Sequence, residues 1–176
     1  NGVFQTLPGF RDLRPEDCAV RNYLFRTFRE VARRYGFLEY ETPIVEATEL
    51  YLKKTGGELG TQLFRFEDQG GRDVTLRPEV TASLGRLLIE SQRAYQKPMR
   101  WFEIGQCFRY EAPQAGRTRE FYQFNVDLIG EADPTADAEL IALTIALMRE
   151  FGFSKVTLSS ASLIGATGKI LQARKA

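Results

Sequence analysis

Residues 108–130 read FRYEAPQAGRTREFYQFNVDLIG, and their alternation decides the fold. Two alternating runs flank a short stretch holding Pro113, Gly116, Arg117 and Arg119, the pattern of an antiparallel hairpin with a long, basic loop. In the second run Tyr122, Phe124, Val126 and Leu128 point one way, and Phe121, Gln123, Asn125 and Asp127 point the other. The first set suits a hydrophobic core. The second aligns a ring, two amides and a carboxylate, and Arg109 at the end of the preceding strand can approach the same area. Such a surface offers a cation to an anion, a ring to a base and a carboxylate to a positive group. Taken alone, the pattern suits an ordinary sheet with one face in water slightly better, so the rest of the chain has to decide.

Upstream, Pro15, Glu16 and Asp17 open a predicted helix, with acidic residues where the helix dipole favours them. Val20, Leu24, Phe28, Val31 and Tyr35 give it an apolar stripe, and Gly36 ends it. Arg21, Arg26, Arg29, Arg33 and Arg34 fall mostly elsewhere and read as a solvated face. A strand is expected through Leu38, Tyr40 and Thr42 to Pro43, and Lys53 to Gly60 reads as a polar loop. Residues 63–67 and 74–76 read as a second hairpin, turned at Gln69-Gly70-Gly71. After Arg77-Pro78 a helix is expected from about Glu79 to Gln92. Downstream, Asp133 and Pro134 supply an N-cap and a first turn for a helix reaching Phe151, and Val156 to Ser159 reads as a further strand. Hairpins alternating with amphipathic helices predict an α+β fold, an antiparallel β-sheet flanked by helices.

The 176 residues, 43% of them hydrophobic, suffice for one compact domain spanning 1–176 and argue against disorder. A formal net charge of +1, with both signs spread along the chain, gives no broad electrostatic footprint for nucleic acid, although a local basic site is compatible with it. Cys18 and Cys107 are isolated and fit neither a zinc site nor a disulfide framework. No apolar run approaches a membrane span and no signal-peptide pattern precedes Gly9-Phe10-Arg11-Asp12, so a cytoplasmic setting is expected. The sequence contains no histidine, which removes Ser–His and Cys–His nucleophilic mechanisms from these residues.

Three segments together resemble one family. YGFLEYETPIVEATELY (35–51) is similar to motif 1 of the class II aminoacyl-tRNA synthetases, and the 108–130 stretch is similar to their motif 2. TLRPEVTAS (75–83), with Gln123 and Asp127 after motif 2, is similar to the histidyl-tRNA synthetase branch, and the match runs from Gly9 to about Phe153. The resemblance implies a class II catalytic core that activates L-histidine with ATP to histidyl-adenylate and passes the acyl group to tRNA(His). It implies that Arg109 is the catalytic group on the α-phosphate and that Glu111 reads the adenine amino group. It places Arg117 at the terminal phosphate region and stacks Phe121 on the adenine. It aims Glu79 and Thr81 at the amino group of the amino acid and lines its pocket with Gln123 and Asp127. Asp127 stands where many members have glutamate, keeping the charge with a shorter reach.

Mg2+ bridging the ATP phosphates is implied, with no direct protein ligand assigned. So is a homodimer formed through the motif 1 region. On the residues alone, Glu79 is also what a helix dipole favours in a first turn. The family's histidine-recognition loop, motif 3 with its second ATP-binding arginine, and anticodon-binding domain have no recognisable counterpart here. The domain is therefore expected to be a partial catalytic core, with negligible tRNA charging by these residues alone. Two further readings fit the same resemblance: a synthetase-like regulatory subunit of histidine biosynthesis, and a non-catalytic domain kept for dimerisation or tRNA sensing.

Overall fold

The computed structural model describes residues 4–55, 60–114 and 116–156. Along the chain run α1 (Pro15–Arg34), β1 (Leu38–Glu39), β2 (Val45–Ala47), α2 (Thr48–Thr55), β3 (Phe64–Glu67), β4 (Asp73–Leu76), α3 (Thr81–Ser91), β5 (Met99–Phe108), β6 (Glu120–Ile129) and α4 (Thr135–Glu150). The strands form two three-stranded sheets, in the orders β1-β5-β6 and β2-β4-β3. β2 and β3 are both antiparallel to β4. The α+β class and both hairpins are as the sequence predicts. The one departure in direction is β1, which pairs parallel to β5. The elements β2 to α3 lie between these two strands, a connection of the length that parallel neighbours require.

Several boundaries differ from expectation. β1 stops at Glu39 rather than running to Pro43, because Thr42 turns its backbone N–H and its hydroxyl to the Glu103 carboxylate, at 3.3 and 2.9 Å. Lys53 is helical, since α2 continues to Thr55 and Lys53 pairs with Glu49 one turn back at 2.5 Å. Of the rest of the expected loop, residues 56–59 lie outside the described residues and Gly60 within them, and residues 157–159 of the expected Val156–Ser159 strand also lie outside. α3 starts at Thr81, so Glu79 precedes the helix instead of opening it.

The described residues cluster into two compact units, one within residues 4–21, 40–95 and 103–125, the other within 22–39, 96–102 and 126–156. In the first, Tyr51, Leu63 and Ala82 form an apolar cluster, and the Tyr51 hydroxyl meets Ser83 Oγ at 3.0 Å, tying α2 to α3. Gly105 is buried on β5. A Cβ there would overlap Val80 Cγ1 and lie 2.9 Å from Arg77 Nη2. Gly105→Ala is therefore expected to destabilise the protein by about 1–3 kcal/mol through overpacking. An unchanged urea midpoint would refute this.

In the second unit Val31, Phe37, Phe102 and Leu143 are fully buried, and Phe28 meets Phe151 edge-on at 5.9 Å. Gly36 (φ +76°) closes α1, and the Phe37 N–H returns to the Ala32 carbonyl at 3.0 Å. The arginines of α1 find carboxylates: Arg29 and Arg33 pair with Glu39 at 2.8 and 3.6 Å, and Arg34 pairs with Glu150 at 2.6 Å. This is the solvated, charge-laced face that the sequence predicts. The apolar stripe is covered only towards its end, since Val31 is buried but Val20 is 61% exposed. α4 begins at Thr135 with Pro134 (φ −58°, ψ −16°) at the cap position, one residue later than expected, while Asp133 Oδ1 still accepts the Thr135 backbone N–H at 2.8 Å and its hydroxyl at 2.7 Å.

Candidate functional site

The site is built on the connection between β5 and β6. Past the end of β5, the Arg109 N–H donates to the Arg119 carbonyl at 2.9 Å, so the ladder runs on beyond the strands. Gln114 and Arg117 then close the tip as an antiparallel bridge, and Gly116 supplies the positive φ (+78°) that this turn needs. Arg119 holds the loop in place. Its N–H donates to the Gly9 carbonyl (2.8 Å), its Nε to the Glu111 carbonyl (3.0 Å) and its Nη1 to the Pro8 carbonyl (3.2 Å), while its guanidinium lies 4.0 Å from the Tyr110 ring centre. Of the two loop arginines, Arg119 is thus a clamp and Arg117 faces outward.

Arg109, Glu111, Gly116, Arg117, Thr118 and Phe121 line one cleft of about 240 Å3. Four of these residues are those that the sequence groups as a nucleotide site. Arg109 donates from Nε to the Pro78 carbonyl at 3.1 Å, and its guanidinium carbon sits 5.2 Å from the Phe121 ring centre. Arg117 Nη1 and Glu111 Oε2 are 3.3 Å apart, with Arg117 well exposed and Glu111 partly covered. The cleft is smaller than the roughly 300–1,000 Å3 of typical ligand pockets. It is one wall, bearing a cation, a carboxylate and a ring.

Glu79, Thr81 and Gln123 lie beside this wall rather than in it. The Gln123 side-chain oxygen accepts the Val80 backbone N–H at 3.3 Å, which brings Gln123 to the Glu79–Thr81 segment. Thr81 is exposed and lines a separate, largely apolar cleft of about 400 Å3 with Leu50, Ala82, Gly85, Arg86 and Ile89. Asp127 belongs to the second unit, and strand alternation puts it on the same side of β6 as Phe121 and Gln123. The opposite side of β6 is less covered than the sequence suggests, since no residue of the strand is fully buried and Tyr122 is 36% exposed.

Arg77 and Glu103 escape the sequence reading. They form an ion pair at 2.5 Å with side chains only 3% and 1% exposed. A signal was available: Glu103 alternates with Trp101, Gly105 and Cys107, and a carboxylate on a buried strand face requires a cation. Cys107 is buried as well, and its thiol is pushed up to about 12 by desolvation. In the folded protein Cys107 should therefore resist iodoacetamide in mildly alkaline buffer and react only on unfolding. Modification of Cys107 itself in the native protein at the rate of an exposed thiol, distinguished from the partly covered Cys18 by peptide mapping, would contradict this burial.

A long β-hairpin carrying two arginines, a carboxylate and a ring into one cleft, within an α+β fold that holds the three motif segments, is the architecture of part of a class II aminoacyl-tRNA synthetase catalytic core. A family model described as histidyl-tRNA synthetase matches residues 9–173. The histidine–tRNA ligase of Opitutus terrae is 46% identical over 153 residues, which cover 87% of this chain and 35% of that protein. An apo histidyl-tRNA synthetase from S. aureus superposes with a TM-score of 0.74 at 31% identity, covering 86% of this chain and 36% of that one. A Bacillus halodurans structure titled as an ATP phosphoribosyltransferase regulatory subunit/histidyl-tRNA synthetase superposes with a TM-score of 0.77 at 31% identity, covering 88% and 40%. The chain belongs to the histidyl-tRNA synthetase family. It spans about a third of the length of the curated relatives it matches.

Proposed function

We propose that the chain supplies the motif 1 and motif 2 part of a histidine–tRNA ligase. The observation that carries the reading is the convergence of Arg109, Glu111, Arg117 and Phe121 on one cleft in a chain of this family. In the reaction, a carboxylate oxygen of L-histidine attacks the α-phosphorus of ATP, the bond to the β-phosphate oxygen breaks, and pyrophosphate leaves. The histidyl group then passes to the terminal ribose of tRNA(His) with release of AMP. Neither step needs a protein nucleophile, so catalysis rests on orientation and fixed positive charge.

Arg109 suits the α-phosphate, since its Nε is occupied by Pro78 and its planar terminal nitrogens match phosphate oxygens. Phe121 supports the adenine ring, Glu111 accepts from its amino group and Arg117 meets the terminal phosphate. Because Glu111 and Arg117 stand within 3.3 Å of each other, one nucleotide reaches both only by folding its phosphates back towards its base. Binding must then part this ion pair, which costs little because Arg117 is exposed. Among the described residues that line the cleft Glu111 is the one carboxylate, and no direct protein ligand for Mg2+ is assigned; bound with ATP, the ion would supply charge neutralisation.

Glu79, Thr81, Gln123 and Asp127 take the amino acid. A pocket that hydrogen-bonds an imidazole strongly rejects analogues lacking those groups. The protein at its natural length should therefore catalyse histidine-dependent ATP–pyrophosphate exchange, and Asp127→Asn should harm the use of histidine far more than the KM for ATP. Absence of exchange would sink the ligase reading, and equal damage to both substrates would remove Asp127 from the pocket. The likeness to the Bacillus halodurans structure favours one alternative, a regulatory subunit of histidine biosynthesis. That reading predicts no exchange. A cytoplasmic homodimer joined through residues 35–51, in which residues 1–176 form part of the catalytic domain, completes the proposal. Among the described residues no helix is long and apolar enough to cross a membrane.

A further inference from the structure

Arg77 is gripped on several sides. Its Nε donates to the Gln106 carbonyl at 2.8 Å, and its Nη1 donates to the Thr42 carbonyl (2.8 Å), the Thr42 hydroxyl (2.9 Å) and Glu103 Oε1 (2.5 Å). The Thr42 hydroxyl donates in turn to Glu103 Oε2 at 2.9 Å. The Arg77 backbone is tied as firmly: its N–H donates to the Ile44 carbonyl at 2.8 Å, and its carbonyl accepts the Phe108 N–H at 2.9 Å. One residue further on, the Pro78 carbonyl accepts Arg109 Nε at 3.1 Å. Consecutive residues 77 and 78 thus hold consecutive residues 108 and 109. A carbonyl aims a guanidinium only as well as its own peptide is fixed. The Pro78 carbonyl lies in the peptide that joins Pro78 to Glu79: the proline ring, following the buried and anchored Arg77, restricts its N-terminal side, and beyond Glu79 the Val80 N–H is held by the Gln123 side-chain oxygen at 3.3 Å.

We propose that Arg77, Glu103 and Thr42 are positioning residues for Arg109: their buried network fixes the Pro78 carbonyl, which orients the Arg109 guanidinium for the substrate. Arg77 is not itself a ligand group, because its side chain is only 3% exposed. Its charge is neutralised by Glu103, so its contribution is geometric. Displacing a reacting group by about 1 Å can cost about 10²-fold in rate. The inference rests on the assignment of Arg109 to the phosphate.

The test is a double-mutant comparison in the protein at its natural length, with ATP–pyrophosphate exchange and thermal midpoint measured on the same samples. Thr42→Val removes one hydroxyl at nearly constant shape, and Glu103→Gln removes the counter-charge. Each is combined with Arg109→Ala. Either single change should lower kcat about tenfold or more, with a smaller change in the KM for ATP. In the Arg109→Ala background the same change should lower kcat by no more than about twofold, since the group it orients is gone. Thermal midpoints should fall equally in both backgrounds. A kcat penalty carried over undiminished into the Arg109→Ala background, or no penalty in either single variant, overturns the proposal. If Glu103→Gln does not fold, the Thr42→Val pair decides alone. If Arg109→Ala by itself leaves exchange intact, the assignment of Arg109 fails and this inference fails with it. That outcome is visible before any second change is made.

Discussion

Arg109→Ala should slow histidine-dependent ATP–pyrophosphate exchange about 10²–10³-fold, the usual consequence of removing one preorganised donor from a charge that grows in the transition state. The structure gives Arg109 the features such a donor needs. It is partly buried at the end of β5, its Nε is fixed to the Pro78 carbonyl at 3.1 Å, and its guanidinium lies over the Phe121 ring. Little reorganisation is then left for the moment of reaction. Lysine should restore only part of the rate, because an ammonium keeps the charge but cannot bond Pro78 and also present a planar pair of donors. The loss should appear in kcat as well as in kcat/KM, as expected of an interaction that strengthens at the transition state. Full exchange activity in Arg109→Ala, in a protein shown to be folded, would remove Arg109 from the catalytic role.

Glu103→Ala should be the most damaging change for stability, costing about 3–5 kcal/mol, because it leaves the Arg77 charge buried without a partner. Arg77 has too little exposure to recover hydration, and its neighbours at Gln106 and Thr42 supply hydrogen bonds but no counter-charge. Replacing both partners by apolar residues of similar volume should cost much less, since the desolvation of two ions is then avoided. Denaturant midpoints of the single and paired variants test this directly. A single-variant loss below about 1 kcal/mol, the scale of an exposed ion pair, would show that the pair is wet in solution. Arg65→Ala, which opens the exposed Arg65–Asp73 pair and leaves the bond from Thr48 to Asp73 in place, is the internal control and should change little.

Much of this molecule was legible in one dimension. The alternation of residues 120–129 specifies β6 and its two faces, and Gly70-Gly71 and Gly116 mark turns that the structure places at Asp68–Arg72 and Gln114–Arg117. Pro15 and Gly36 bound α1 as local capping chemistry dictates. Alternation alone set Arg109 beside the Phe121 side of β6, whereas adding Glu111 and Arg117 to that group rested on the resemblance to motif 2; these four line one cleft.

What needed the tertiary structure is whatever depends on partners distant in sequence. The parallel pairing of β1 with β5 joins residues 38–39 to 101–102, and no local pattern encodes it. The early end of β1 follows from a carboxylate at residue 103 that draws in Thr42. Arg119 and Arg117 look alike in the sequence. Only the approach of Pro8 and Gly9 makes the first a clamp and leaves the second to pair with Glu111. Arg77 and Glu103 are separated by a helix and half a strand, so the sequence shows that Glu103 requires a cation but not that Arg77 is the one. Alternation and local propensity act within a few residues, and through them the chain by itself determined α1, α3, α4, its hairpins and the two faces of β6 from which the wall is built. Burial and charge pairing act through space, so folding alone decided how firmly that wall is held.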